Sequence, residues 1–554
     1  MSGRSSALAP FEHTTFRNLW LANLSSNFGG LIQGVGAAWL MTSITSSVDM
    51  VALVQASTSL PVMIFSVIGG AVADSFNRRK VMLTAQLFML AASTLLAAAT
   101  FMGIITPWLL LTFTFLIGCG TALNNPSFQA SVGDVVPRDK VPAAVALNSI
   151  GFNISRSVGP AIGGAIVAAA SAAAAFAVNA VSYIALIVVL FRWQPERTEN
   201  LIPRESISAA MMSGVRYVAM SPNILRVLMR SFIFSFTGIV ILALLPVIAA
   251  NLLGGGPLTY GFMLGAFGIG AIGGALITGP IRQQLESESI VRCAFLGFAI
   301  CALLAAVSPS EWITGLALAI GGASWVLANS LFNVSVQLAS PRWVVGRALS
   351  LYQTASFGGM ALGSWTWGVF ADVYGIRFAL VAACISLIIG AALGLLLPLP
   401  KYTSLNLEPL GTFKEPHLEL DLQPSSGPII VEIAYIIDSK DITTFLDAMT
   451  IRKRIRRRDG AREWSLRRDL NNPELWIESY RTPTWLEYIR HNLRRTQADS
   501  ANNDLLRNLH RGTEPPVVHR FIERPTYWLR ALQRHRNGMD AALSAEAHAN
   551  VPQP

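Results

Sequence analysis

As far as residue 400 the chain is a series of long apolar runs separated by short polar gaps. Twelve runs are legible, at 17–41, 49–73, 80–102, 107–131, 144–169, 172–191, 227–250, 259–280, 290–308, 312–338, 346–370 and 376–398. Each is close to the ~20 residues that carry a helix across a ~30 Å hydrocarbon core. The pattern predicts an all-α membrane protein of twelve transmembrane helices. One long gap, residues 192–226, divides the runs six and six. Within it Ile207–Tyr217 is amphipathic and is expected to lie along a membrane surface.

The two sets of six repeat each other. A shift of 204 positions carries Gly69-Gly70-Ala71 onto Gly273-Gly274-Ala275 and Arg78 onto Arg282. It also carries Gly118 to Gly322, Asn125 to Asn329, Pro137-Arg138 to Pro341-Arg342, Gly159 to Gly363 and Gly164 to Gly368. Chance matches are easy among glycines, but a constant offset through four consecutive segments that includes Pro-Arg is not. Two pseudo-symmetric six-helix halves, 1–191 and 227–400, are the expected architecture.

Beyond residue 400 the pattern changes. Residues 401–427 read as a linker. Ile429–Ile437 alternates as a strand, Asp441–Arg457 is helical, and Glu463–Asp469 and Leu475–Arg481 are strands around Asn471-Asn472-Pro473. Trp485–Arg495 is helical and Val517–Ile522 is a last strand. This β-α-β-β-α-β order predicts a small α+β, ferredoxin-like domain over 428–524. The composition of 525–554 suggests a disordered tail.

Charge orients the runs. Asn77-Arg78-Arg79-Lys80, Arg138, Lys140, Arg192, Arg197, Arg204, Arg216, Arg282, Arg292, Arg342 and Arg347 occupy alternate gaps. The gaps at 43–49, 102–107, 170–174, 251–259 and 308–311 hold no Lys or Arg. Basic loops stay in the cytoplasm, so both termini are expected there. The polar stretch Phe11–Arg17 leads straight into the first run, and no cleavable signal is expected. Of the 42 Lys and Arg and 32 Asp and Glu, 19 and 12 precede residue 401, which leaves 23 and 20 after it. The tail is thus densely charged and nearly balanced. Topology accounts for the excess of +10, so no nucleic-acid partner is inferred. Cys119, Cys293, Cys301 and Cys384 sit in apolar runs without metal-type spacing. No metal or other cofactor is expected, nor is ATP as direct driver, because no G-x-x-x-x-G-K-[ST] occurs.

Polar residues inside the runs are the candidate chemistry. Arg156 reads as the only charge deep in a span. A buried cation there is costly unless it meets water or an anion, so it could bind an anionic or catechol-rich substrate or brace helix carbonyls. Thr121, Asn125 and Gln129 recur every fourth residue, as do Asn329, Asn333 and Gln337, which places each set on one helix face. These stripes, with Asn23, Asn27, Asn153 and Gln353, are expected to line a cavity or to bond between helices. Asp74, Asp134 and Asp372 stand near span ends, and no mid-membrane carboxylate offers a proton site. In the tail, Arg452–Arg458 could meet anionic lipid or end a solvated helix at Gly460. Trp464, Trp476 and Trp485 read as core. His491 and His519 suggest neither metal nor catalysis.

The segment Gly70-Ala71-Val72-Ala73-Asp74-Ser75-Phe76-Asn77-Arg78-Arg79-Lys80 resembles the G-x-x-x-D-x-x-G-R-R-K loop of the major facilitator superfamily. Asn77 replaces the usual Gly, with a left-handed turn still tolerated. Ser157-Val158-Gly159-Pro160-Ala161-Ile162-Gly163-Gly164 resembles the antiporter motif of its fifth span. With Asn124-Asn125-Pro126, Asn153-Ile154-Ser155-Arg156 and Trp343–Leu351, most of the chain resembles the macrolide-efflux and enterobactin-exporter branch, also called transmembrane secretion effectors. The resemblance implies a gating latch. Asp74 would face the positive N-terminus of span eleven near Gly346–Leu349, and Arg78 would meet Asp134, with Gly70, Asn77 and Arg79 shaping the loop. Gly159, Pro160, Gly163 and Gly164 would pack helices closely.

The function implied is secondary-active export of a small amphipathic compound, such as a drug or siderophore, across a bacterial inner membrane, with protons as coupling ion. The tail is similar to an antibiotic-biosynthesis-monooxygenase-type domain through Arg456–Ala461 and Trp485–His491. Such folds often pair sheet to sheet, which implies a homodimer. An importer or a sensor that reports ligand through the tail is the alternative. A catalytic tail is not supported, since it holds no reactive cluster.

Overall fold

The computed structural model describes residues 8–137, 140–194, 207–341, 343–399, 407, 410, 413 and 415–524. The chain forms two compact units, Met1–Leu405 and Asn406–Pro554. Arg138 lies outside the described residues, as do the segment 195–206 between the two sets of helices and the expected tail 525–554.

The first unit is helical. Its elements are α1 (Thr14–Ile44), α2 (Val48–Ser75), α3 (Arg78–Phe101), α4 (Pro107–Val135), α5 (Val141–Ala169), α6 (Ala172–Arg192), α7 (Ile207–Ala219), α8 (Pro222–Val247), α9 (Pro257–Gln284), α10 (Ser287–Val307), α11 (Glu311–Leu338), α12 (Val345–Tyr374) and α13 (Ile376–Leu396). Among the described residues, nine helices are long and apolar enough to cross a membrane. The other long ones, α1, α5 and α12, have 31, 29 and 30 residues. Asn23 and Asn27 on α1, Asn153 and Arg156 on α5, and Arg347 and Gln353 on α12 dilute their apolar character. Large side chains stay exposed around the bundle, including Leu276 at 74%, Leu316 at 66% and Trp312 at 78%. Such surface belongs against lipid rather than water.

Alternating helix direction gathers Arg78, Arg79, Lys80, Lys140, Arg192, Arg282 and Arg347 at one end of the bundle, the basic end. At the opposite end Arg377 is the one Lys or Arg among the described residues. The connection α7 packs on α12, α2 and α8. Arg347 Nη1 donates to Ser213 Oγ at 2.5 Å, and the Tyr217 ring meets Trp343 edge-on at 5.4 Å.

Helix contacts repeat along with the sequence. The pairs α2–α4 and α9–α11 correspond, as do α5–α9 and α12–α2. Glycine makes these approaches possible. A Cβ at Gly118 would stand 2.8 Å from Pro61 of α2, and its repeat mate Gly322 meets Phe267 and Ala271 of α9. A Cβ at Gly164 would lie 2.8 Å from Gly261 Cα, and one at Gly368 2.6 Å from Ala52 Cβ.

Arg156 is not alone as an interior charge. Arg230 on α8 has no solvent exposure, and its Nη2 donates to Glu288 Oε1 at 3.1 Å. Glu288 Oε2 accepts from Leu399 N at 2.9 Å, and Arg230 Nη1 reaches the Gly390 carbonyl. The pair thereby fastens α8, α10 and α13 to the segment leaving α13. Neither residue stands out in the sequence: Glu288 is the second residue of α10, and Arg230 falls close to the start of the apolar run 227–250, where charge is ordinary.

The second unit contains β1 (Ile429–Ile436), α14 (Ile442–Asp459), β2 (Arg462–Arg468), β3 (Leu475–Thr482), α15 (Trp485–Leu493), α16 (Ser500–Leu509) and β4 (Val517–Ile522). The sheet is antiparallel in the order β2-β3-β1-β4, the split-βαβ arrangement. Val431, Ile433 and Tyr435 face a core with Phe445, Trp476, Tyr480 and Trp485. Part of the expected linker belongs to this unit. Leu410 N donates to the Arg495 carbonyl at 2.9 Å, and Phe413 packs edge-on against Tyr488 at 6.1 Å. The helix α16 has no counterpart among the elements expected from sequence, because its Asn- and Asp-rich stretch carries weak helix propensity.

Candidate functional site

At the basic end, Asn77 begins α3. Its side chain accepts from Lys80 N at 3.3 Å, and its φ is −66°. It is a helix N-cap and not the left-handed turn expected from the glycine it replaces. Arg78 Nη1 lies 2.8 Å from both Asp134 oxygens and 2.9 Å from the Ala130 carbonyl. Both partners stand on adjacent helices, so the pair ties α3 to α4. Arg79 donates to the carbonyls of Leu190 at 2.7 Å and Phe191 at 2.9 Å, at the end of α6. A cation suits the negative end of a helix. Gly70 and Asp74 lie on α2. The Asp74 carboxylate, like the Asn153 amide, is outside what the structure describes.

The Gly-Pro motif has two working faces. Gly159 and Gly163 meet Leu31 and Ile32 of α1, while Gly164 meets Pro257 and Gly261 of α9. The Pro160 carbonyl also faces Gly261, 2.9 Å from where a Cβ would stand. From there α5 and α9 stay in contact down to Gly268, whose Cβ position would be 2.9 Å from the Arg156 carbonyl. Farther toward the basic end, Gly273 and Gly279 have open space around them. Arg156 thus stands where the two helices approach closely. Its guanidinium lies over the Phe267 ring at 5.7 Å. A cation held by an aromatic face keeps its hydrogen-bonding edge available.

The polar stripes differ between the repeats. On α4, Thr121 donates to the Ile117 carbonyl at 3.0 Å, whereas Asn125 and Gln129 are exposed. On α11, Asn329 Nδ2 donates to the Trp325 carbonyl at 2.9 Å, and Tyr352 OH donates to the Asn329 carbonyl at 3.2 Å. Gln337 Nε2 donates to Asn333 Oδ1 at 2.5 Å. Asn23, Asn27 and Gln353 are half-buried. The α11 stripe is therefore partly spent on interhelical and local bonds, while the exposed α4 amides keep their capacity.

The tail holds a network that the sequence did not reveal. Glu478, on β3, is fully buried. Its Oε1 accepts from Arg456 Nε and Trp464 Nε1, both at 3.0 Å, and its Oε2 from Tyr435 OH at 3.3 Å and Arg452 Nε at 3.5 Å. Burial alone would raise the Glu478 pKa, but Arg456 and Arg452 bring it down to about 2. Arg456 Nη1 is 3.0 Å from His491 Nε2. Burial, with Arg456 and Arg495 nearby, holds His491 well below the usual histidine range, so its Nε2 is an acceptor. The run Arg452–Arg458 is consequently not a solvated patch throughout. Arg452 and Arg456 point inward, and Arg458 pairs with Asp459 and Asp499 at 2.8 Å. Gly460, at φ +125°, ends α14. Among the described residues no cluster could hold a metal.

A helical bundle with a lipid-facing apolar surface and polar residues between packed helices has the build of a multi-pass membrane protein. The solved bacterial homologue of the human lysosomal transporter Spinster, in an inward-facing conformation, matches with a TM-score of 0.57 at 14% identity, covering 69% of this chain and 96% of that one. The nucleoside transporter NupG in its D323A form matches with a TM-score of 0.56 at 11% identity, over 69% and 99%. The transmembrane secretion effector family model matches residues 5–526, and the chain belongs to that family. The macrolide efflux protein A of Streptococcus pyogenes is 21% identical over 65% of this chain and 90% of its own length. The staphyloferrin A transporter of Staphylococcus aureus is 24% identical over 63% and 87%. The enterobactin exporter EntS of Escherichia coli O1:K1 is 24% identical over 64% and 84%. The chain is thus a multi-pass membrane transporter and not an enzyme.

Proposed function

We propose that this protein exports a small amphipathic compound from the cytoplasm by alternating access, driven by proton entry. Twelve crossings would form two six-helix halves, with the basic end and both termini in the cytoplasm of a bacterial cell. The repeated helix contacts favour that organisation, and the charge asymmetry favours that orientation. The halves would rock about the α2–α12 and α5–α9 contacts, with Asp74 latching the cytoplasmic end against α12.

The observation that carries the substrate reading is Arg156. It sits at the α5–α9 crossing with Phe267 as its neighbour. A guanidinium beside an aromatic ring suits a substrate that joins acidic or catechol oxygens to an apolar frame. Macrolide and siderophore export by relatives supports the same class. Asn125 and Gln129 would add neutral hydrogen bonds along the path. The tail would act as an accessory domain of the antibiotic-biosynthesis-monooxygenase type, pairing two copies through the open face of its sheet.

A deletion strain challenged with macrolides and siderophores tests this. Full-length protein should lower intracellular accumulation of at least one compound, and collapse of the proton gradient should abolish the difference. No difference for any compound would reject the exporter reading.

A further inference from the structure

The helices α2 and α12 run antiparallel and touch along their length. A Cβ at Gly368 would lie 3.0 Å from Asp49 Cα. One at Gly358 would lie 3.1 Å from Met63 Sδ, and Ser66 Oγ is 2.8 Å from Thr354 Oγ1. At the end away from the basic loops, Asp372 Oδ1 accepts a hydrogen bond from Val48 N at 2.9 Å. Val48 is the first residue of α2, and its own N-cap, Ser47, makes no side-chain cap bond to the helix. The N–H groups of a first turn have no partner within the helix. One of them is satisfied here by a carboxylate from the other set of six helices.

The same α2–α12 register, continued toward the basic end, brings the backbone at Asp74 level with Gly346 at the start of α12. Each helix therefore bears an aspartate in its last turn, and each presents its N-terminus at that level of the other. The sequence echoes the symmetry. Gly368-Val369-Phe370-Ala371-Asp372-Val373-Tyr374-Gly375-Ile376-Arg377 repeats the spacing of Gly70, Asp74, Asn77 and Arg79.

We infer that Asp372 is a positioning residue of transport, an outer latch that holds the non-cytoplasmic ends of the two halves together through Val48 N–H. It is the counterpart of the inner latch expected at Asp74. The inference rests on the two-half, alternating-access reading above. With the outer latch closed, the cytoplasmic mouth is free to open. Outward opening must break the Asp372–Val48 bond.

The test uses the full chain in nanodiscs, with Cys119, Cys293, Cys301 and Cys384 replaced by serine. Spin labels go on Ser46→Cys and Leu258→Cys, either side of the outer mouth. Asp372→Ala removes the acceptor. Val48→Pro removes only the donor, because a helix accepts proline at its first position. Each variant should enrich the longer inter-label distance severalfold and slow export at least threefold. The double variant should go no further than the stronger single one. Unchanged distances in either variant, or additive effects in the double, would overturn the latch. The distances are read without any substrate. Should the wild type export no compound, the exporter reading fails while the labels still decide on the latch.

Discussion

Arg230, wholly buried on α8, donates to Glu288 of α10 across 3.1 Å. Arg292 adds a second positive charge near both, so Glu288 offsets cations from two helices. Breaking a buried pair strands the surviving ion, at a cost of ~3–5 kcal/mol. Glu288→Ala and Arg230→Ala should each greatly reduce the yield of monodisperse protein and lower its thermal midpoint by several degrees. Replacing both by apolar residues of similar volume should recover most of that deficit. Size-exclusion profiles and thermal-shift curves in detergent check the set.

Gly164 marks where α5 meets α9, with Pro257 O 2.7 Å from where a Cβ would be. Backbone, not a flexible side chain, fills that space. Gly164→Val should cost ~1–3 kcal/mol through overpacking. Export should fall as α5 and α9 are forced apart, whereas the neighbouring exposed change Ile162→Val should be silent. Efflux assays at matched membrane levels separate the two.

Acid should loosen the tail in two stages. His491 titrates well below its unfolded value near 6.5, so the stability it contributes is complete above that pH and is lost as pH falls. Glu478, held at about 2, keeps its contribution until pH drops below its unfolded value of about 4.3. Protection of the segments 452–459 and 476–491 in the full chain, taken relative to the intrinsic amide exchange rate at each pH, should fall between pH 7 and 5. His491→Gln should flatten that first stage and leave the second in place.

Much of this architecture is legible in the sequence because lipid imposes a simple code. Apolar length marks each long helix, and basic gaps mark one end. The repeat offset foretells that Gly164 and Gly368 occupy matching contacts. What the code omits is pairing between distant segments. Nothing in the local pattern around Val48 announces that Asp372 will cap it. Arg456 and Glu478 look like ordinary surface charges until the sheet brings them together under Tyr480. Asn77 shows the opposite failure: a family position suggests a left-handed turn, yet an asparagine ahead of a helix satisfies Lys80 N better as an N-cap. Arg156 stands out by its setting, but its partner Phe267 lies on another helix and cannot be read off.

Arg156 also carries the prediction nearest to function. Arg156→Gln keeps hydrogen bonding and removes charge. It should cut export of an acidic or catechol-bearing compound at least tenfold, about 1.4 kcal/mol of interaction. Arg156→Lys should restore part of it, because the planar fork and not charge alone fits paired oxygens.

The most direct measurement is uptake by inside-out membrane vesicles, which present the cytoplasmic face to the medium. Vesicles with an acid interior should accumulate a radiolabelled macrolide or siderophore. Accumulation should stop with a protonophore and fall at least tenfold with Arg156→Gln. Accumulation only in right-side-out vesicles, or none above vesicles lacking the protein, would contradict the account.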